Sequence, residues 1–206
     1  MAVEWPGWAR HAKGEADPLE ALLGCGERYG RALAAAGIPF EVPAELEVTA
    51  VLEGDYGTEW GVISVVTEAD HRPLDEAEAA RQVAILRAAW QAFDAAVESA
   101  EGHELRRGPR GGGRDLPRLL DHCVKAEQIY LSKLGARKPR VESGDWHDLE
   151  TAMREQAVEA FLDRAAGRPA REPSRAQQLW TPRWYVRYSA WHTLVHAWEI
   201  EDRRLD

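Results

Sequence analysis

The stretch from Thr181 to Arg203, T-P-R-W-Y-V-R-Y-S-A-W-H-T-L-V-H-A-W-E-I-E-D-R, constrains the fold more than any other part of the chain. Thr181 and Pro182 stand where a helix takes its cap and its first residue, and about twenty residues without glycine or further proline follow. The segment therefore reads as a long helix. Within it His192 and His196 are four residues apart, so both rings leave one face about a turn from each other, and two imidazoles at that separation can reach one metal ion. A third ligand has to come from another element.

Three further helices are predicted ahead of it. Asp75 is placed as an N-cap with Glu78 three residues on, in a capping-box-like arrangement, and Val83, Leu86, Trp90, Phe93 and Val97 then fall on one stripe that ends near Gly102. After the glycine-rich connector R-R-G-P-R-G-G-G-R, Asp115 caps a second helix carrying Leu116, Leu119, Leu120, Ala126, Ile129 and Leu134, with Gly135 as its stop. A third runs from about Asp148 to Ala166, with Leu149, Met153, Ala157, Ala160 and Phe161 inside. A loop containing Pro169 and Pro173 leads into the final helix. Four helices with apolar stripes and loops of moderate length are expected to form an antiparallel four-helix bundle, spanning residues 73–206.

Residues 1–72 read as an N-terminal extension. An irregular lead-in contains Trp5 and Trp8, which are expected to dock on the body, and Pro18 to Ala36 reads as a helix weakened by three internal glycines and closed by Gly37. Leu46, Val48, Ala50 and Leu52 then alternate with polar residues, and Trp60 to Thr67 is rich in β-branched side chains. With Gly54 to Glu59 as the turn, these two runs predict a β-hairpin. The expected fold class is thus mainly α, a bundle with a helix and hairpin appended.

Composition narrows the partners. The chain has 206 residues, 45% of them hydrophobic, enough to bury a core, and a net charge of −9. It lacks the basic face that nucleic acid or an anionic membrane requires, so neither is an expected partner. The opening M-A-V-E-W-P-G-W-A-R has no apolar run of signal-peptide length, and no stretch approaches the length of a bilayer span, so a cytoplasmic location is expected. Cys25 and Cys123 are far apart and form no C-x-x-C pair, which suggests neither a disulfide framework nor a thiolate zinc site.

Seven histidines occur, and His11, His71, His103 and His147 fall in predicted loops. His122 lies on the second helix, three residues after Leu119 and four before Ala126, so it points toward the core. One histidine from helix two and two from helix four would converge as bundle metal sites do, leaving a position free for water or substrate. The segment H-T-L-V-H has no Glu after its first His, so the metalloprotease motif is missing and proteolysis is disfavoured. Spacing alone leaves open the alternative that the three rings only satisfy one another in the core.

Beyond spacing, the helix order, the single His early in helix two, and the phrases R-G-P-R-G-G-G-R-D and S-A-W-H-T-L-V-H-A-W-E-I-E-D-R resemble the DinB/YfiT-like superfamily, over about residues 75–206. The resemblance implies a four-helix bundle holding a divalent metal ion, often nickel, zinc or iron, on a His triad that here would be His122, His192 and His196. Some members are enzymes that use low-molecular-weight thiols such as mycothiol or bacillithiol in isomerisation or S-transfer, with the metal activating the thiol. DNA binding is not implied.

Further candidates lie beside the triad. Glu199, three residues after His196, would orient an imidazole, unless it merely flanks solvent at the helix end; Ser189 and Tyr185, on the same face, would meet substrate. Arg110 and Arg114 in the connector would hold the carboxylate of a thiol cofactor or a phosphate, unless the segment is a plain linker. Trp184, Trp191 and Trp198 recur every seven residues, and they either pack within the chain or form a subunit contact, for which a homodimer is the expected assembly. Two function classes follow: an enzyme acting on a small-molecule substrate by metal-activated water or thiol, in transfer, isomerisation or hydrolysis, and a non-catalytic metal-binding or interaction module.

Overall fold

Side-chain caps begin three of the long helices where the sequence places them. The computed structural model describes residues 1–12, 14, 16–108, 112–141, 146–170 and 178–205, with the backbone alone of Trp146. The chain is mainly helical: α1 (Pro18–Gly24), α2 (Gly26–Ala35), α3 (Tyr56–Glu59), α4 (Glu76–Ala100), α5 (Leu116–Leu134), α6 (Trp146–Ala165) and α7 (Pro182–Arg203), with a 3-10 turn over Glu68–His71. Thr181 caps α7 by accepting the Trp184 N–H at 3.2 Å. Asp75 and Asp115 accept from the Glu78 and Arg118 N–H groups at 2.8 and 3.0 Å, each satisfying a donor that the first helical turn leaves unpaired. The second half of a capping box at α4 is not made, because the Glu78 carboxylate is drawn instead to Arg183 of α7.

The long helices share one core. α7 packs against α4, α5 and α6, and α6 closes on α4 and α5. Val83, Leu86, Trp90, Phe93 and Val97 are all buried on α4, joined by Ile85, Ala88 and Ala89, so that helix is covered on more than the one stripe expected. Ala190 and Ala197 of α7 are likewise fully buried, and small side chains on both helices let their axes approach closely. On α5 the inward positions are Leu119, Cys123, Ala126, Tyr130 and Leu134, whereas Ile129 is 54% exposed. The helical stripe runs through 119, 123, 126 and 130, which turns position 129 outward. Met153, Ala157, Ala160 and Phe161 of α6 are buried as predicted, and fully burying each large apolar side chain is worth roughly 1.5–3 kcal/mol.

Two expectations for the N-terminal region are corrected. Pro18 to Ala36 is not one helix but two, broken at Cys25, whose φ of −96° and ψ of 0° leave the helical region. The glycines of α2 answer a packing need: a Cβ on Gly26 would lie 2.8 Å from Val42 Cγ2, and one on Gly30 would lie 3.0 Å from Phe40 Cδ1. They let the following segment cross the helix at close range.

The predicted hairpin does not form; among the described residues there is no strand, only an isolated bridge between Leu105 and Arg204. Asp55 instead accepts from the Thr58 N–H and starts the short α3. Of the alternating residues Leu46 alone packs against the core, while Ala50 is exposed and Val48 and Leu52 are 54% and 50% exposed, and in the second run Trp60 is 72% exposed. Two strands with so little to pack on are not stable alone, so the local cap prevails.

The lead-in does dock. Trp8 is 2% exposed and donates to the Leu22 carbonyl at 3.0 Å, and Tyr29 donates to the Pro6 carbonyl at 2.8 Å. Trp8, Leu22, Tyr29 and Leu33 belong to the same apolar cluster as the long helices. A buried ion pair ties the region further: Arg187 of α7 donates to Asp70 in the 3-10 turn at 2.7 Å and to the Ala2 carbonyl at 2.8 Å. No helix among the described residues is long and apolar enough to cross a membrane.

Candidate metal centre

His192 and His196 are one turn apart on α7, and α5, packed alongside, brings in His122. One nitrogen from each ring lies within 4.8 Å of the others. The closest pair, His122 Nε2 and His192 Nε2, is 3.3 Å apart. Two nitrogens each about 2.1 Å from one ion at a tetrahedral angle stand about 3.4 Å apart, so this spacing is one a bound cation would set. Ring centroids are separated by 4.5 Å (His192–His196), 4.9 Å (His122–His196) and 5.2 Å (His122–His192). His192 and His196 are buried and His122 is half-buried, so the cluster opens toward solvent on the α5 side. The other four histidines, His11, His71, His103 and His147, are exposed.

The surroundings keep two of these rings in the neutral form that binds metals. Burial, reinforced by His196, His122 and Arg114, lowers His192 to about 2. Burial, with Arg114 and His196, lowers His122 as well. At neutral pH both offer a lone pair rather than a proton. Glu199 supplies the polar contact on the far side of His196: its Oε2 stands 2.8 Å from His196 Nδ1, which leaves Nε2 of that ring to face the other two. Its Oε1 accepts from Arg203, four residues further along α7. The hydrogen bond with His196 holds the Glu199 carboxyl below its usual range, so it is ionised.

Arg203 also fixes the connector. It donates through Nε to the Arg106 carbonyl at 2.9 Å and through Nη2 to the Arg114 carbonyl at 2.6 Å, while the Arg106 N–H donates to the Arg203 carbonyl at 2.6 Å. Gly113, with φ +101°, passes so near that a Cβ there would lie 2.7 Å from Arg203 Nη2. The connector is thereby held against the end of α7 and encloses a solvent-open cavity of about 530 Å³ lined by Arg106, Arg107, Gly108, Gly112, Gly113, Glu199 and Arg203. Of the sequence candidates there, Arg114 is exposed at the exit of the connector, and Arg110 lies outside the described residues.

Tyr185 and Ser189 are 3% and 4% exposed, and among the described residues no hydrogen bond joins either to the triad. Burial pushes the Tyr185 hydroxyl well above its usual range, so it stays protonated. Cys123 is buried and its thiol is also pushed up, first by burial and then by Glu127 and Glu150. Trp184, Trp191 and Trp198 are all buried within the chain. Sequence reasoning missed Tyr130, whose ring meets His192 edge-on at 5.4 Å, and Arg203. The four-residue spacing from Glu199 to Arg203 is the signal from which Arg203 was legible.

No protein-family model, curated protein or solved structure matches the chain. The three imidazoles, their spacing and their carboxylate partner are therefore what the functional reading rests on.

Proposed function

We propose that the protein is a divalent-metal-dependent enzyme of the DinB/YfiT type, an antiparallel four-helix bundle that holds zinc, nickel or iron on His122, His192 and His196. The observation that carries this reading is the 3.3 Å separation of His122 Nε2 and His192 Nε2, with a nitrogen of His196 within 4.8 Å of both. The bound ion would supply Lewis-acid activation of water or of a low-molecular-weight thiol, for hydrolysis, isomerisation or transfer. The chain's own residues do the rest. Glu199 fixes the tautomer of His196 by accepting at Nδ1, and Arg203 holds that carboxylate in place. Tyr130 and Trp191 stand edge-on to His192 at 5.4 and 6.3 Å and limit how that ring can turn.

Elemental analysis of untagged protein, wild type and His192→Ala, tests the proposal. About one equivalent of a divalent metal in the wild type, lost in the variant together with turnover of a thiol or ester substrate, is the expected result. A second reading has its own support, because 3.3 Å is also a hydrogen-bond distance between one N–H and one bare nitrogen. On that reading both proteins are metal-free. A non-catalytic metal-binding module would lose metal on substitution and show no turnover in either form.

A further inference from the structure

The cavity beside the triad has a charge opposite to that of the chain. The protein carries a net charge of −9, yet three guanidinium groups, Arg106, Arg107 and Arg203, line this space against one carboxylate, Glu199. Glu199 is neutralised internally by Arg203 and by its contact with His196. The neighbouring acids of α7, Glu201 and Asp202, are turned to Arg28 of α2. Arg106 donates to the carbonyl of Asp202 at 3.0 Å, a neutral acceptor that leaves its charge uncompensated. Arg107 is exposed and has no hydrogen-bond or ion-pair partner among the described residues. Arg114 follows Gly113 of the lining, with its carbonyl held by Arg203 at 2.6 Å.

Hydrogen bonds hold the described ends of the connector, residues 106–108 and 112–114. The bridge between Leu105 and Arg204, the Gly108 N–H to Gly112 carbonyl bond of 2.7 Å and the hydrogen bonds of Arg203 hold the connector on both sides of the cavity. A guanidinium fork matches the oxygens of a carboxylate or a phosphate, whereas a neutral ligand gains nothing from uncompensated positive charge. A concave site of this size on an acidic protein suits a small molecule rather than a nucleic acid.

Resting on the metal-enzyme reading, we propose that this cavity recognises an oxyanion, a carboxylate or phosphate group, of the small molecule acted on at the triad, with Arg107 as its main ligand and Arg106 beside it. Glu199 lines the cavity and its Oε2 lies 2.8 Å from Nδ1 of His196 in the triad. An anionic group held there would leave the rest of the molecule on the Glu199 side of the cavity, next to His196.

The test follows backbone amide NMR shifts of the metal-free 206-residue chain during titration with inorganic phosphate and, separately, acetate, at constant ionic strength. Saturable shifts at Gly108, Gly112 and Gly113 are expected, with a dissociation constant on the order of millimolar, weakened about tenfold in Arg107→Gln. Arg31→Gln on α2, an exposed arginine outside the cavity, should bind as the wild type does. Whichever anion binds more tightly identifies the substrate group. Equal binding by wild type and Arg107→Gln, or no saturable shift at these glycines with either anion, would overturn the proposal. Metal content measured on the same samples separates the two ideas. Metal without anion binding defeats only the cavity, and anion binding by a protein that takes up no metal defeats the enzyme reading while keeping the anion site.

Discussion

Replacing Glu199 with Gln isolates what the carboxylate contributes to metal affinity. Oε2 of Glu199 is 2.8 Å from His196 Nδ1, and Oε1 accepts from Arg203. An anion in that position makes the imidazole a stronger donor at its other nitrogen, the one facing the triad. Gln matches the shape and keeps one acceptor oxygen, but it carries no charge. Losing such a partner costs roughly 10–100-fold in metal affinity, which is about 1.4–2.8 kcal/mol at 1.4 kcal/mol per factor of ten. His192→Ala, which removes a ligand outright, should cost more. The assay is competition for Zn²⁺ against a chromophoric chelator at neutral pH, with circular dichroism to show that helix content is unchanged. A folded Glu199→Gln protein that binds zinc as tightly as the wild type would refute the reasoning, because the Glu199–His196 contact would then have no part in ligand strength.

Three other outcomes are expected. Asp70→Ala strands the buried Arg187 guanidinium, and breaking a buried pair in this way should lower stability by roughly 3–5 kcal/mol, read as a drop in the urea midpoint. Gly7→Ala forces a left-handed residue (φ +89°) to carry a Cβ 3.0 Å from that of Ala190; about 1–2 kcal/mol of backbone strain should loosen the lead-in and red-shift the emission of buried Trp8. Glu127 provides a pH test: burial raises its carboxyl from 4.5 to about 8, with Arg154 opposing and Glu150 adding to the rise. Because its folded value lies above its unfolded one, stability is full below pH 4.5 and is lost as pH rises toward about 8. Below about pH 6.5 the lowered values of His192 and His122 oppose this by adding stability as pH rises, so the readout is the difference in urea midpoint between metal-free wild type and Glu127→Gln, which should move in the variant's favour from pH 4.5 toward about 8.

The triad was legible because it depends on local geometry twice over. Four residues on one helix place His192 and His196 on one face in any fold, and the Leu119–His122–Ala126 spacing turns His122 toward whatever α5 packs against. The hairpin was misread because alternation records which side chains share a face, without recording whether anything covers that face. Here only Leu46 reaches the core, and Val48, Ala50 and Leu52 stay exposed. Gly26 and Gly30 were read as weaknesses of a helix because propensity is a property of the isolated segment, whereas their use appears only where Phe40 and Val42 cross it.

By itself the amino-acid order determined α4, α5 and α7 and their caps, since Thr181, Asp75 and Asp115 act on donors three residues away, and it put His192 and His196 on one face of α7. Tertiary structure alone decided that α5 and α7 meet with His122 and His192 in register at 3.3 Å. It also decided that the connector folds back so that Arg203 fixes it over Glu199. The physical reason is range: caps and helical faces are set within a turn or two of backbone, while contacts between residues 70 to 100 positions apart exist only after burial of the shared core has brought the helices together.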